Sequence, residues 1–245
     1  MSEQRFPAGA APGLRVSNGG GDISVEVWDE DEILVESEGR SFASHREGDT
    51  LVIEGCPDDL EIRVPARTAV TISQHSGDVR VEGVRQARVE RAACDVDLAD
   101  LAEGAEIGQV SGDLRVERVP RVVGPGPVHG DADLADVQRI ELGRVNGNFS
   151  ADNTLLIIVG SVGGDLEADG LAERLQAGSI GGDLNVEMRG AGEIVVDSVG
   201  GDMQVEGDLS SFQCSNVGGD LRVEGRVDRA TCSNVGGDLQ VGRAR

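Results

Sequence analysis

Eleven equivalent positions recur between Asp59 and Asp238 at intervals of 17 to 19 residues, and ten of them hold Asp, with Asn148 at the sixth. The residue after each position is apolar, the next is polar and the third is apolar again. This alternation predicts a short strand that buries one face. Because a unit of this length cannot enclose its own apolar face, the repeat predicts coils that stack as a solenoid.

Two further sets of apolar residues complete each repeat. One lies three residues before the repeated Asp and predicts an inward-facing corner, as at Val162 and Ile180; the other consists of pairs such as Ile157 and Val159. Gly-Gly precedes the Asp in the last five repeats, and we expect it to supply a positive φ at a tight turn. The sequence therefore predicts an all-β fold, a single-stranded parallel β-helix (β-solenoid) with a right-handed coil of about 18 residues.

Three segments follow from where the repeat holds. Residues 59–245 are predicted to form the parallel β-helix repeats. Residues 14–58 alternate like strands without the fixed Asp spacing, so we interpret them as a β-rich N-terminal cap or irregular first coils. Residues 1–13 are rich in Pro, Ala and Gly and are predicted to form a flexible N-terminal tail.

The charge balance limits the partners. The formal net charge is −23, all 22 basic residues are Arg, and aromatic residues make up 2% of the chain. Phosphate backbones and anionic lipids are bound by clustered basic side chains. We therefore expect no nucleic-acid partner and no anionic membrane surface.

Apolar runs and cysteines bear on location. The longest apolar run, 155–159, is far shorter than the roughly 18 residues of a membrane span, and no apolar segment follows a basic N-terminal one. The cysteines Cys56, Cys94, Cys214 and Cys232 show no CxxC spacing. We expect a cytoplasmic protein without membrane insertion or an export signal.

Four stretches resemble one family. SVGGDL at 161–166, NVGGDL at 216–221, DLEIRVP at 59–65 and SGDVRVEGV at 76–84 are similar to the bacterial adhesin-like family of β-strand-repeat domains of unknown function. The resemblance spans most of the chain and implies a solenoid fold and, through the family's name, adhesion. In coil length and expected location the chain is also similar to the bactofilins, which are polymerising β-helical scaffolds.

The repeated Asp residues are the strongest candidate for chemistry. Carboxylates stacked about 4.8 Å apart repel one another, so each needs a compensating partner. Calcium ions are one solution, as in the Asp-bearing turns of other β-rolls. Backbone N–H groups of the Gly-Gly turn beside each Asp are the other. Asn148 holds the position without a charge and favours the second, so no metal ligand and no cofactor is assigned.

Polar side chains on the outward face of the first strand are a second candidate. Arg80, Asp97, Arg115 and Asp133 alternate in sign in successive repeats. We interpret them as an exposed ion-pair ladder that fixes the register. The alternative is a polysaccharide-cleaving face, as in β-helix lyases and hydrolases. Because the chain has no Lys and few aromatic residues, no catalytic residue is assigned.

Histidines and cysteines are the remaining candidates. His45, His75 and His129 do not share a position in the repeat, which argues against a metal triad. Cys214 and Cys232 occupy the same inward position in consecutive repeats. A disulfide fits that spacing, but two parallel side chains rarely point at each other, so we expect buried reduced thiols.

The last repeat suggests a function. Few residues follow Val241, so we expect an uncapped coil with unpaired backbone groups and exposed apolar surface. We expect a non-enzymatic scaffold or protein-interaction module that forms a homo-oligomer or filament through this end, unless the net negative charge keeps the ends apart. The alternative is an adhesin-like domain that binds glycan or cations on an outward face, and the third is a carbohydrate-active enzyme.

Overall fold

The computed structural model describes residues 2–37, 39 and 42–242, and the regular elements of these residues are all β-strands. The chain forms two compact units, Met1–Gly126 and Pro127–Arg245, which we call unit 1 and unit 2. No helix in the described part of the chain is long and apolar enough to cross a lipid bilayer. The predicted fold class, an all-β solenoid of parallel coils about 18 residues apart, is confirmed.

Unit 1 contains thirteen strands within its described residues. They are β1 (Ser2–Pro7), β2 (Gly13–Gly19), β3 (Ile23–Trp28), β4 (Glu32–Ser37), β5 (Ala43–Glu47), β6 (Thr50–Glu54), β7 (Leu60–Pro65), β8 (Ala69–His75), β9 (Val79–Glu82), β10 (Gln86–Ala92), β11 (Val96–Ala99), β12 (Gly104–Val110) and β13 (Leu114–Glu117). One sheet has the order β1-β4-β7-β3-β9-β11-β13, and the other has the order β5-β6-β2-β8-β10-β12.

Strand β14 (Arg121–Val128) runs from the end of unit 1 into unit 2, whose described residues contain thirteen more strands. They are β15 (Ala132–Ala135), β16 (Arg139–Val145), β17 (Phe149–Asp152), β18 (Leu156–Val162), β19 (Leu166–Leu171), β20 (Arg174–Ile180), β21 (Leu184–Met188), β22 (Gly192–Val199), β23 (Met203–Glu206), β24 (Leu209–Val217), β25 (Leu221–Glu224), β26 (Ala230–Val235) and β27 (Leu239–Val241). The odd-numbered strands β15 to β27 form one sheet in chain order, and the even-numbered strands β16 to β26 form the other.

Each regular coil contributes one strand to each sheet of its unit. Strands of successive coils pair in parallel, so that Val96 lies beside Leu114 and Leu98 beside Val116; the register shifts within the pairs β19 with β21 and β22 with β24. All four side chains are buried, as the predicted inward positions require. The interior of each unit is therefore a stack of aliphatic side chains, one layer per coil.

Strands β2 and β3 form a coil that lies out of chain order. β2 pairs in parallel with both β6 and β8, and β3 pairs in parallel with both β7 and β9. The earliest coil of the chain is thus inserted between two later ones, whereas the sequence suggested only a cap or irregular coils over residues 14–58. The regular repeat was missed because Asp22 precedes Asp59 by 37 residues, about two coil lengths.

Antiparallel strands cover the outer edges of unit 1. β1 pairs with β4, β4 with β7, and β5 with β6, all antiparallel. The predicted tail over residues 1–13 is therefore corrected, because Ser2–Pro7 form β1. The physical reason is that β4 buries Ile33 and Val35 and leaves a backbone edge that needs a hydrogen-bonding partner.

In most coils, the corner five residues after the repeated Asp has left-handed backbone. Residues with positive φ at this corner are Gly83, Asp100, Arg118, Asp136, Asn153, Gly170, Gly207 and Gly225. Gly, Asn and Asp adopt this conformation most readily. Positive φ therefore recurs at this corner and not at the Gly-Gly turn.

The Gly-Gly pairs serve close stacking of the coils. The prediction that they supply positive φ is wrong, because none of these glycines lies in the left-handed region. A Cβ at Gly181 would clash with the carbonyl oxygen of Gly163, and a Cβ at Gly182 would clash with Oδ1 of Asp165. Both obstructing atoms belong to the neighbouring coil, so the glycines are needed for space.

We predict that Gly201→Ala lowers the free energy of unfolding by about 1–3 kcal/mol, because the added methyl would overlap Oδ1 of Asp183 in the preceding coil. Gly190→Ala is the matched control, since its nearest atom outside the adjoining residues would be the Ala172 carbonyl oxygen, 3.7 Å from the new Cβ. Urea unfolding followed by circular dichroism measures both variants. Equal stability of the two would contradict the steric explanation.

Candidate functional site

The repeated Asp residues form a hydrogen-bonded column within each unit, which we call the Asp ladder. In unit 2, Oδ1 of each member before Asp238 accepts the backbone N–H of the equivalent residue in the next coil at 2.7–3.0 Å. The unit 2 members are Asp131, Asn148, Asp165, Asp183, Asp202, Asp220 and Asp238. The unit 1 members, in spatial order and at 2.8–3.2 Å, are Asp59, Asp22, Asp78, Asp95 and Asp113.

The donor to each carboxylate differs from the prediction. N–H groups of the adjacent Gly-Gly turn were predicted as donors, but the donor is the backbone N–H of the ladder residue one coil away. The side chain points along the stacking direction into space that the next glycine leaves open, as Asp165 does beside Gly182. Asn148 accepts the Asp165 N–H at 3.0 Å, so an uncharged oxygen is sufficient.

Asp22 is a ladder member that sequence reasoning missed. Its Oδ1 accepts the N–H of Asp78 at 2.9 Å, and its own N–H is donated to Asp59 Oδ1 at 2.8 Å. The signal was present, because Gly-Gly precedes Asp22 and apolar residues follow at Ile23 and Val25. Only the distance along the chain departed from the repeat.

A cation role for the ladder was the other alternative. Among the residues that the structure describes, no group of three or more His, Cys, Asp or Glu side chains is placed to hold a metal ion. Asp22, Asp59, Asp78 and Asp95 line a groove of about 430 Å³ in unit 1 together with Arg80. One oxygen of each of these four carboxylates already accepts a backbone N–H. The geometry favours register-fixing hydrogen bonds as the role of the ladder.

We predict that Asp183→Ala destabilises the chain by about 1–3 kcal/mol, because the Asp202 N–H loses its acceptor. Asp183→Asn is expected to stay within about 0.5 kcal/mol of the parent, since it keeps the acceptor and removes a like charge from the column. Chemical unfolding of both variants, with and without calcium, is the measurement. A loss in Asp183→Asn as large as that in Asp183→Ala would show that the charge, and not the acceptor, is needed.

Three residues of the outward polar column lie side by side, as predicted. Asp97 sits in register between Arg80 and Arg115. These arginines form ion pairs within their own strands, Arg80 with Glu82 at 3.4 Å and Arg115 with Glu117 at 2.8 Å. These exposed pairs hold side chains in place on the surface and contribute little stability individually.

A stronger ion-pair cluster lies at the left-handed corner of unit 1. Arg118 Nε and Nη2 bind Oδ1 and Oδ2 of Asp100 at 2.7 and 2.9 Å, and Arg118 Nη1 binds Glu117 Oε2 at 2.6 Å. The hydrogen bonds from Arg118 lower the pKa of Asp100, and those from Arg115 and Arg118 lower the pKa of Glu117. The bidentate pair joins two coils at a corner where Arg118 itself has a positive φ.

His75 is buried at an inward corner of unit 1. It is 2% exposed, and neither ring nitrogen has a hydrogen-bond partner. The ring occupies space left by Gly19, where a Cβ would clash with Nδ1. Burial lowers the pKa of His75, although the Gly21 backbone and the charges of Asp22 and Asp78 oppose this shift. The folded chain therefore holds a neutral imidazole.

We predict that His75→Val reduces the loss of stability in mild acid. Because the pKa of His75 is lower in the folded chain, the unfolded chain binds a proton first as the pH falls. His75 therefore does not affect the free energy of unfolding above pH about 6.5. Below that pH, it lowers the free energy of unfolding by at most about 1.4 kcal/mol per pH unit. Val occupies this corner in most later repeats and cannot titrate. Unfolding free energies of both proteins at pH 7.5 and 5.5 test this, and an equal acid-induced loss would contradict it.

The other histidines lie on the surface. His45 is in β5, 3.4 Å from Glu47, and His129 Nδ1 is 2.9 Å from Asn146 Nδ2. Both rings are exposed, whereas His75 is buried. The three histidines therefore lie in three different settings.

Cys214 and Cys232 are register neighbours in β24 and β26, and both are free thiols. Burial is the main cause that raises the pKa of Cys214 to about 11. The sequence predicted two buried thiols; Cys214 is buried, but Cys232 is only half-buried because no described strand lies beyond β26.

The outermost described coil of unit 2, residues 225–242, exposes residues that other coils bury. We call it the edge coil. Leu239 is 57% exposed, whereas the equivalent Leu221 in the preceding coil is 1% exposed. Val235 and Val241 are half-buried. β26 and β27 end their sheets, so their outer backbone edges pair with no described strand.

Two side-chain ladders also end in the edge coil. The Asp238 N–H is donated to Asp220 Oδ1 at 2.8 Å, and Asn234 Nδ2 donates to Asn216 Oδ1 at 2.9 Å. No hydrogen bond from a described residue reaches the carboxylate of Asp238 or the side-chain oxygen of Asn234. The edge coil thus presents open acceptors beside its apolar residues.

A groove of about 760 Å³ lies on the outer face of unit 1 along β10 and β12. Arg88, Glu106 and Arg121 line it, and Arg88 pairs with Glu106 at 2.8 Å. Gly104 and Gly108 contribute no side chains to its floor. The groove offers donors and acceptors to a polar ligand.

Comparison with known proteins adds no assignment. No protein-family model matches the chain, and no curated protein is significantly similar to it. The geometry of the Asp ladder, the outer groove and the edge coil is therefore the basis for a functional proposal.

Proposed function

We propose that this chain is a non-enzymatic β-solenoid scaffold that self-associates through its edge coil. The observation that carries the proposal is the exposure of Leu239 at a position that is buried in the coil before it. Burying one Leu side chain contributes about 1.5–3 kcal/mol relative to leaving it exposed. A surface that combines such residues with unpaired strand edges gains most from pairing with another strand.

The local charge supports this proposal. Residues 225–242 contain two arginines, Arg226 and Arg229, and two acidic residues, Asp228 and Asp238, and are therefore formally neutral. The preceding 18 residues, 207–224, contain three acidic residues and one arginine. Although the whole chain carries −23, the edge coil lacks the like charge that would oppose contact between two copies.

The outward charged residues support a structural role rather than catalysis. Arg80, Arg88 and Arg115 are held in ion pairs with Glu82, Glu106 and Glu117. The adjacent free thiols of Cys214 and Cys232 fit a reducing compartment such as the cytoplasm. We propose that the chain works there as a structural element.

We predict that the 245-residue chain associates reversibly and that Leu239→Asp weakens the association at least tenfold, because a carboxylate would have to be desolvated in the contact. Raising the salt concentration should strengthen association of the parent by screening its net charge. Sedimentation equilibrium over a range of concentrations gives the dissociation constants.

Leu155→Asp is the control for this experiment. Leu155 is also exposed, at 37%, in a turn of unit 2 outside the edge coil. It should associate like the parent. A parent chain that stays monomeric at every concentration and salt, or equal weakening by both substitutions, would reject the proposal.

Glycan binding by an adhesin-like domain is the second candidate. The sequence resemblance and the outer groove of unit 1, with Arg88, Glu106 and Arg121, favour it. This groove has ion-paired polar walls but no aromatic residue against which a sugar ring would stack. Binding on a glycan array that is lost in Arg88→Ala would favour this candidate over self-association.

A further inference from the structure

We infer that two copies pair through their edge coils as a twofold symmetric dimer, and that the assembly does not continue into a filament. This inference rests on the proposed function and adds the identity of the paired surfaces. It follows from comparing the outer strands of unit 1, β1 and β5, with those of the edge coil, β26 and β27. The two pairs of strands differ in charge, in proline content and in what they leave exposed.

The outer strands of unit 1 carry features that prevent edge pairing. β1 contains Glu3, Arg5 and Pro7, and β5 contains the adjacent charged residues Arg46 and Glu47. Charged side chains and proline on an edge strand discourage addition of another strand. In contrast, β26 and β27 have the sequences ATCSNV and LQV, without charge or proline.

The apolar residues beneath β1 and β5 are already covered. Ile33 and Val35 in β4 and Leu51 and Ile53 in β6 are each 0% exposed. No apolar layer comparable to the exposed Leu239 of the edge coil is therefore open on these strands. In a contact between the edge coil of one copy and β1 or β5 of another, the exposed Leu239 would find no open apolar layer to pack against.

Two edge coils can cover each other's exposed apolar side chains. Antiparallel pairing of β27 with a second β27, centred on Gln240, places Leu239 of each copy opposite Val241 of the other. All four side chains then face the interior, because Leu239 and Val241 are each one residue away from Gln240 and lie on the opposite face of the sheet from it. A twofold contact of this kind uses the same surface on both copies and leaves no second edge coil free, so growth stops at two.

Cross-linking through position 240 tests this geometry. Antiparallel pairing centred on Gln240 would bring two outward side chains opposite each other, with Cβ atoms about 4.5–5.5 Å apart, close to the range in which a disulfide forms. Gln240→Cys under mild oxidation with copper phenanthroline is expected to yield a cross-linked dimer as the main product. Sedimentation velocity should show a doubled mass that does not rise further with concentration.

Gln204→Cys is the matched control. Gln204 lies in the same outward column, in register through Arg222 with Gln240, but two coils away from the edge. It should not cross-link, and neither should the unmodified chain. A mixture of Glu3→Cys chains and Gln240→Cys chains reports on the competing contact, because a disulfide between the two variants joins β1 to the edge coil.

The outcomes separate this inference from the proposed function. A monomeric parent chain rejects both. Filaments in electron micrographs, or disulfides between Glu3→Cys and Gln240→Cys chains as abundant as those between two Gln240→Cys chains, would leave self-association standing and overturn the closed dimer. A dimer that fails to cross-link at position 240 would overturn it as well.

Discussion

Close stacking of neighbouring coils is the constraint on which the rest of the structure depends. Each coil approaches the next so closely that the Gly-Gly corner has no room for a methyl group, and the carboxylate of Asp165 fills the space beside Gly182. That oxygen then accepts a backbone N–H that the regular strand pairing does not reach. Glycine and Asp therefore act together, because the first makes space and the second satisfies the donor.

The parts of the fold that the sequence predicted are those determined by burial within one repeat. Alternating apolar residues such as Leu221 and Val223 indicated the strands, and their burial follows from that pattern alone. The requirement for Gly182 was explained wrongly because the obstructing atom belongs to Asp165, 17 residues earlier. Local geometry cannot reveal a clash with a neighbouring coil. Asn148, by contrast, correctly indicated that the ladder needs an acceptor and no charge.

Exposure at the edge coil is the feature most closely tied to the proposed role. The last two described coils share the sequence CSNVGGDL, yet Cys214 is buried and Cys232 is only half-buried. Identical residues thus differ in environment only because one coil has neighbours on both sides. A repeat sequence shows which residues face inward, but the position of the coil in the stack decides whether they are covered.

The inserted coil has a consequence for the order in which the chain assembles. β3 has β7 on one side and β9 on the other, so its position between them is complete only once the ribosome has added residues as far as Glu82. A solenoid built strictly in chain order can grow as it emerges, one coil upon the last. Here both neighbours of the first coil come from later in the chain, so its place in the stack depends on contacts between distant segments.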